Sequence, residues 1–265
     1  MQLSDSPILA NDPVGPDYRM MTLGAPGIAA AARPGQFIHL RIPNIDPASL
    51  RRPFSICDAA DGRLRILYKQ VGRGTAAMTR LKPGDVANIL GPLGNGFPRP
   101  APEATPLLVA GGHGVAPLLF LARRTPRKGV LFAGGRSARD VLLIDEFKAI
   151  GWETRVCTDD GSLGTRGFVT AALDAWQGGH PATAAELFAC GPGPLLAAVD
   201  QRAERWGRKA WLSLDRHMGC GVGACLGCVQ KIRRTTPVGE TRVVQARVCK
   251  DGPVFASGAI VWEGL

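Results

Sequence analysis

Along the first hundred residues, apolar positions come in short bursts that alternate with polar ones. QFIHLRI (36–42), RLRILYKQV (63–71) and VANIL (86–90) each read as strands, and turns such as Lys82-Pro83-Gly84-Asp85 separate them. Short strands punctuated in this way predict a small β-barrel. PRPAPEATP (98–106) reads as a stiff, proline-rich linker. From residue 107 the rhythm changes. LLVAGG is an apolar strand ending in glycine, with VAPLLFLARR as the helix behind it, and VLFAGG (130–135) repeats the pattern with DVLLIDEFKAIG read as helical. TRVCTDD (154–160), FVTAALDAW, ELFACGP (186–192) and LLAAVDQRAERWG continue the alternation of strand and helix. That alternation predicts a parallel sheet flanked by helices, with ligands at the carboxyl ends of its strands.

A third pattern begins near residue 209. A cysteine-rich loop precedes two polar, β-branched runs, VQKIRRTT and TRVVQARV, which read as a hairpin turning at Pro237-Val238-Gly239. The expected division is therefore a β-barrel over 1–102, an α/β parallel-sheet domain over 103–208 and a small C-terminal domain over 209–265. A chain of 265 residues with 45% hydrophobic and 20% charged content is globular in composition. It contains no apolar run approaching the roughly 18 residues of a membrane span. The start, MQLSDSPILANDP, has no basic segment leading into an apolar one, so the expectation is a cytoplasmic protein with reduced thiols. The net charge of +10 raises nucleic-acid binding as a reading. No basic stretch is interleaved with aromatics, however, so a solvated surface is the favoured account.

The cysteines change the picture most. Cys220, Cys225 and Cys228 form C-x4-C-x2-C, and Cys249 follows after twenty intervening residues. This is the plant-type 2Fe–2S ligand spacing with a distant fourth thiolate. Gly221, Gly223 and Gly227 let the loop wrap closely and aim N–H groups at sulfur. Structural zinc is the alternative, but zinc ribbons usually carry two C-x2-C knuckles and only one such pair is present. Cys57 and Cys157 read as inert buried thiols. Cys190 ends a strand at the ligand edge of the sheet and is a candidate site residue.

Three loops suit anionic cofactors. Arg51-Arg52-Pro53-Phe54-Ser55 combines a guanidinium, a rigid turn and a hydroxyl, a set that suits a flavin pyrophosphate and ring edge, although a surface turn is an equally simple account. GRGT (72–75) and GPLGNGF (91–97) add glycine N–H groups nearby. Gly111-Gly112-His113-Gly114 sits between a strand and a helix, where amides and helix dipole face a phosphate, without the full G-x-G-x-x-G fingerprint. The isolated histidines His39, His113, His180 and His217 read as structural. Arg136, Ser137 and Arg139 could meet a 2′-phosphate and Asp140 a ribose hydroxyl, which leaves NADH against NADPH open.

Taken in order, RPGQFIHLR, RRPFSIC, GRGT, GPLGNGF, VAGGHGVAPL, TDDGSLGTRGFV, ACGPGPLL and GCGVGACLGCV…VCKDGPVF resemble the electron-transfer subunits of class 1B dihydroorotate dehydrogenases, within the ferredoxin reductase superfamily. The likeness spans nearly the whole chain. It implies an FAD site at Arg52, Pro53, Phe54, Ser55, Leu67, Tyr68, Lys69, Gly74 and Thr75. It implies a nicotinamide path along Gly112, Gly114 and Cys190, with Cys190 the residue nearest the chemistry, and a 2Fe–2S cluster on Cys220, Cys225, Cys228 and Cys249. Electrons would pass from NADH through FAD and the cluster to the FMN of a separate catalytic subunit, in a heterotetramer that serves pyrimidine biosynthesis. The related small subunits of bifurcating ferredoxin–NADP reductases are similar but carry aspartate at the position of Cys220. An iron–sulfur flavoprotein reductase serving another partner, of ferredoxin:NADP or sulfide oxidoreductase type, is the runner-up. Ala110 and His113 stand where the family has a glycine and an aliphatic residue.

Overall fold

The structure is a computed structural model and describes residues 1–43, 50–236 and 239–263. The turn expected at Pro237-Val238 lies outside the described residues. β1 (Gln2–Pro13), β2 (Tyr18–Gly24), α1 (Pro26–Ala31), β3 (Phe37–Arg41), β4 (Arg52–Ala60), β5 (Arg63–Lys69), α2 (Arg73–Met78) and β6 (Val86–Leu93) open the chain. Their strands close into a barrel in the order β1-β2-β5-β4-β3-β6. Alternation makes the barrel: in β6 the buried positions are Ala87, Ile89, Gly91 and Leu93, so every second residue enters the core. Two readings need correction here. The expected strands omitted β1, β2 and β4, and Arg52–Ser55 is not a turn but the first residues of β4. Pro53 is tolerated there because it stands at a strand start, where its missing N–H costs little.

β7 (Thr105–Gly111), α3 (Val115–Arg124), β8 (Val130–Gly135), α4 (Ile144–Ala149), β9 (Glu153–Thr158), β10 (Thr165–Arg166), α5 (Val169–Gly179), β11 (Ala185–Cys190), α6 (Gly193–Trp206) and β12 (Lys209–Ser213) follow. The helix read over 140–151 is shorter than expected, because Leu143 adopts a left-handed conformation (φ 62°) just before α4. β13 (Val229–Thr235), β14 (Thr241–Arg247), α7 (Val248–Asp251) and β15 (Val254–Ala256) complete the described strands and α-helices, and single 3-10 turns lie at Gly112–Gly114 and Ala138–Asp140. The sheet runs β10-β9-β8-β7-β11-β12-β15, parallel except for β15. β7 and β11 are buried almost throughout, as expected of strands covered on both faces.

The three parts share cores. Every residue of α3 from Val115 to Ala122 is buried. α3 packs on β4 of the barrel, and Phe120 joins the barrel core while Leu118 and Leu119 join the sheet core. The proline-rich linker is tied down: Phe97 meets Phe188 edge-on at 5.8 Å, and the Ala101 N–H donates to Glu186 Oε2 at 2.9 Å. Ile232, Ala246, Cys228 and Cys249 belong to the same apolar cluster as Leu187 and Leu212 of the sheet.

Candidate functional site

A cavity of about 420 Å³ opens where the barrel meets the sheet. Its wall includes Pro53, Phe54 and Ser55 of β4, Leu67, Tyr68 and Lys69 of β5, Thr75, Gly114 and Cys190. Strand pairing and the turns after β5 and β11 thus bring Pro53 and Cys190, 137 positions apart, to one wall. The Tyr68 hydroxyl is engaged, donating to Asn11 Oδ1 at 2.9 Å, while Asn11 Nδ2 donates to the carbonyls of Met78 and Leu81. Tyr68 therefore offers its ring, held edge-on to Phe54 at 6.2 Å. Arg52 and Gly74 do not line the cavity. They stand side by side beyond it, where a Cβ on Gly74 would lie 3.8 Å from Arg52 Nε. The Thr75 hydroxyl is engaged within its own loop, accepting from the amides of Val71 and Gly72. Arg51 is bound to the barrel, donating to the Asn88 and His39 carbonyls.

A second cavity, of about 760 Å³, lies over the carboxyl ends of β7 and β8. Gly112, Arg136, Asp140, Asp159 and Thr170 line it, and it shares Lys69, His113 and Pro192 with the first. The glycine loop and the ACGP turn are nested: a Cβ on Gly114 would fall 2.1 Å from the Cys190 carbonyl oxygen. Gly114 is required for that approach, and Gly112 for its left-handed φ of 54°. Asp140 Oδ1 accepts from the Tyr18 hydroxyl at 3.1 Å and from Lys69 Nζ at 3.4 Å, so the barrel already engages the carboxylate read as a ribose ligand. Tyr18, Phe37, Ser213, Asp215 and Met218 also line the two cavities. Sequence reading missed Tyr18 and Ser213 because they lie on strands it did not find, Asp215 and Met218 because they fall between β12 and the cysteine loop, and Phe37 because an apolar residue inside an expected strand reads as core. A larger hollow, about 1030 Å³ beside β9 and α5, contains none of the expected site residues.

Burial pushes the Cys190 thiol up to about 12; the Asp215 carboxylate adds to the rise and Ser213 opposes it. Cys190 is thus a neutral thiol that shapes the wall. The cysteine loop is different. Cys220 Sγ accepts from the amides of Val222, Ala224 and Cys225 at 3.5, 3.3 and 3.4 Å. Partial burial pushes its thiol up, but these amides together outweigh burial and hold it at about 6. The Cys249 amide donates to Cys228 Sγ at 3.4 Å. Cys225 stands beside Cys220, and Cys249 lies near both Cys228 and Cys220. Among the described residues no three His, Cys, Asp or Glu side chains converge on one point as a single-ion site. Amide donors aimed at sulfur, in a loop carrying three cysteines, fit an iron–sulfur cluster.

A barrel joined to a parallel nucleotide sheet, with a cysteine loop behind the joint, is the build of a ferredoxin-reductase-like flavoprotein carrying an iron–sulfur domain. The solved structure of an NADH-dependent reduced ferredoxin–NADP oxidoreductase superposes with a TM-score of 0.82 at 27% identity, covering 98% of this chain and 90% of that one. The FAD/NAD-binding domain of the nitric oxide dioxygenase from Vibrio cholerae O1 biovar El Tor shares the fold at a TM-score of 0.64 and 19% identity, over 77% of this chain and 93% of that one. Residues 215–261 match the model of the iron–sulfur cluster binding domain of dihydroorotate dehydrogenase B. The chain belongs to the family of dihydroorotate dehydrogenase B (NAD(+)) electron transfer subunits. It is 42% identical to that of Bacillus caldolyticus over 248 residues, 91% of each chain. It is 36% identical to that of Desulforamulus reducens over 267 residues, 98% of each. No described helix is long and apolar enough to cross a membrane.

Proposed function

We propose that the protein passes electrons between NADH and the FMN of a dihydroorotate dehydrogenase catalytic subunit, within a heterotetramer. One observation carries the reading: the cavity assigned to FAD shares a wall with the dinucleotide cavity on one side, and on the other includes Met218, two residues before Cys220. Bound there, FAD and a 2Fe–2S cluster supply the change from a two-electron hydride to single electrons. The residues of the chain do the rest. Pro53, Phe54, Ser55, Leu67, Tyr68 and Lys69 hold the flavin ring, and Arg52 beside Gly74 meets its pyrophosphate. Gly112 and Gly114 admit the dinucleotide, and Cys190 packs where nicotinamide and flavin meet. Cys220, Cys225, Cys228 and Cys249 hold the cluster, and the amides donated to Cys220 Sγ suit a thiolate bound to iron. The division at residues 102 and 208 then assigns FAD, dinucleotide and cluster segments, the last of which lends β12 and β15 to the nucleotide sheet.

Asp159 and Asp140 in the dinucleotide cavity favour NADH over NADPH, because a 2′-phosphate would face carboxylates as well as Arg136. The likeness to a reduced ferredoxin–NADP oxidoreductase supports a second reading, a reductase serving another partner. Cys220, where that group carries aspartate, tells against it. The test is the visible spectrum of anaerobically purified protein with iron and zinc analysis, before and after NADH. Flavin and iron–sulfur bands bleached by NADH, and orotate formed only with the catalytic subunit present, are expected. A colourless, zinc-bearing protein indifferent to NADH would discard the reading.

A further inference from the structure

We propose that His39 is a positioning residue for the cysteine loop, holding Met218–Gly221 against the barrel so that main-chain amides stay aimed at the Cys220 sulfur. The inference deepens the reading above and rests on its assignment of Cys220 to a cluster. His39 lies in β3 and is wholly buried, at 0% exposure. Burying an imidazole without a partner costs on the order of 1–3 kcal/mol, so the groups around it matter. Main-chain groups of Met218 and Cys220 stand against its ring, although among the described residues neither nitrogen completes a hydrogen bond of good geometry. Gly221, at φ 71°, packs so closely that a Cβ would fall 2.8 Å from His39 Nδ1. The imidazole thus touches the loop at Met218, Cys220 and Gly221.

On β6 its neighbour is Leu90, Arg51 donates to its carbonyl, and on the remaining side it borders the flavin cavity. Pro53, directly across the strand pair from His39, lines that cavity, as do Phe37 and Met218. His39 therefore stands between the cavity and the first cysteine, and one ring N–H is available to a loop carbonyl. The consequence falls on sulfur. Three amides of the loop point at Cys220 Sγ, and donors to cluster sulfurs stabilise the more negative, reduced state. Without the imidazole the loop is free to relax, those donors weaken, and the cluster becomes harder to reduce.

The test uses the purified holoprotein with His39→Leu and His39→Asn, iron and flavin content being measured first. Potentiometric titration followed by EPR reads the cluster directly, and rapid mixing with NADH reads the flavin. His39→Leu should bleach the flavin at the wild-type rate. Its reduced-to-oxidised cluster ratio at a fixed potential should fall on the order of fivefold, the worth of about one hydrogen bond, with a changed EPR signal. His39→Asn, which keeps a donor, should recover part of both. Wild-type midpoint and EPR signal in His39→Leu would overturn the proposal. So would loss of flavin binding and fold in both variants, since His39 would then be a packing residue. If His39→Leu loses iron alone while His39→Asn keeps it, the proposal is supported. Wild-type protein lacking iron would sink the cluster assignment itself, a failure visible before any variant is made.

Discussion

Cys190 and Cys57 share an environment that only burial could create. The Cys57 thiol is pushed up to about 12 by burial, from an ordinary value of 9.0. A raised thiol pKa means that the folded state holds a proton the unfolded state has lost above pH 9. Stability is therefore complete below pH 9 and falls as pH rises toward 12, by at most about 1.4 kcal/mol per pH unit for one such group. Cys57→Ala should flatten the fall of Tm between pH 9 and 12, which thermal denaturation across that range checks. Cys190, equally raised, cannot act as a thiolate near neutral pH. Cys190→Ser should lower the rate of NADH-dependent flavin reduction by less than about tenfold; a loss of three orders of magnitude in rapid-mixing kinetics would give the thiol a chemical role. The position of Cys190 at the end of an apolar strand was legible in the sequence. Its protonation was not, because Asp215 and Ser213 reach it only through β12 and the segment just after it.

Between elements, the barrel and the sheet are joined by charge as well as by α3. Arg65 of β5 grips Glu146 of α4 through both guanidinium nitrogens at 2.7 and 2.8 Å. Arg123 of α3 adds a contact to Glu146 at 2.7 Å and reaches Asp58 at 3.3 Å. The hydrogen bond from Arg65 holds the Glu146 carboxyl below its ordinary value of 4.5, against the opposing effect of burial. A depressed carboxyl contributes stability above the unfolded value and loses it as pH falls through the folded one. Glu146→Gln should cost about 1–2 kcal/mol at pH 7, allowing for partial exposure, and the gap from wild type should close below pH 4.5. Urea denaturation at both pH values measures it. At the second joint, Lys69 lies 4.8 Å from the centroid of the Tyr18 ring and pairs with Asp140. Asp140→Asn should raise KM for NADH by about twofold to tenfold with kcat little changed, since the pair shapes the cavity without meeting the hydride.

For the molecule as a whole, the C-terminal segment is held to the sheet by a buried carboxylate. Asp200 of α6 accepts from the Gly258 amide at 2.9 Å and from Trp262 Nε1 at 2.7 Å. Asp200→Ala leaves both donors unpaired and should cost about 2–4 kcal/mol, with earlier loss of iron than of flavin on mild heating, followed by absorbance. With a net charge of +10, association with the catalytic subunit is expected to slow as salt is added if that partner presents an acidic surface. Salt-insensitive binding to the catalytic subunit would assign the charge to solvation alone.

The alternation of apolar and polar residues determined that a barrel precedes a parallel sheet, because side-chain period follows directly from strand geometry and burial. The cysteine spacing likewise pointed to an iron–sulfur site, since three thiols lie within one short glycine-rich loop. Tertiary structure decided what is shared between the parts. β12 and β15 enter the nucleotide sheet from beyond residue 208, α3 is common to two cores, and His39, read from sequence only as structural, lies against Gly221. Such pairings join residues far apart in sequence, and no local pattern encodes them. They arise only when the chain packs its apolar faces against one another.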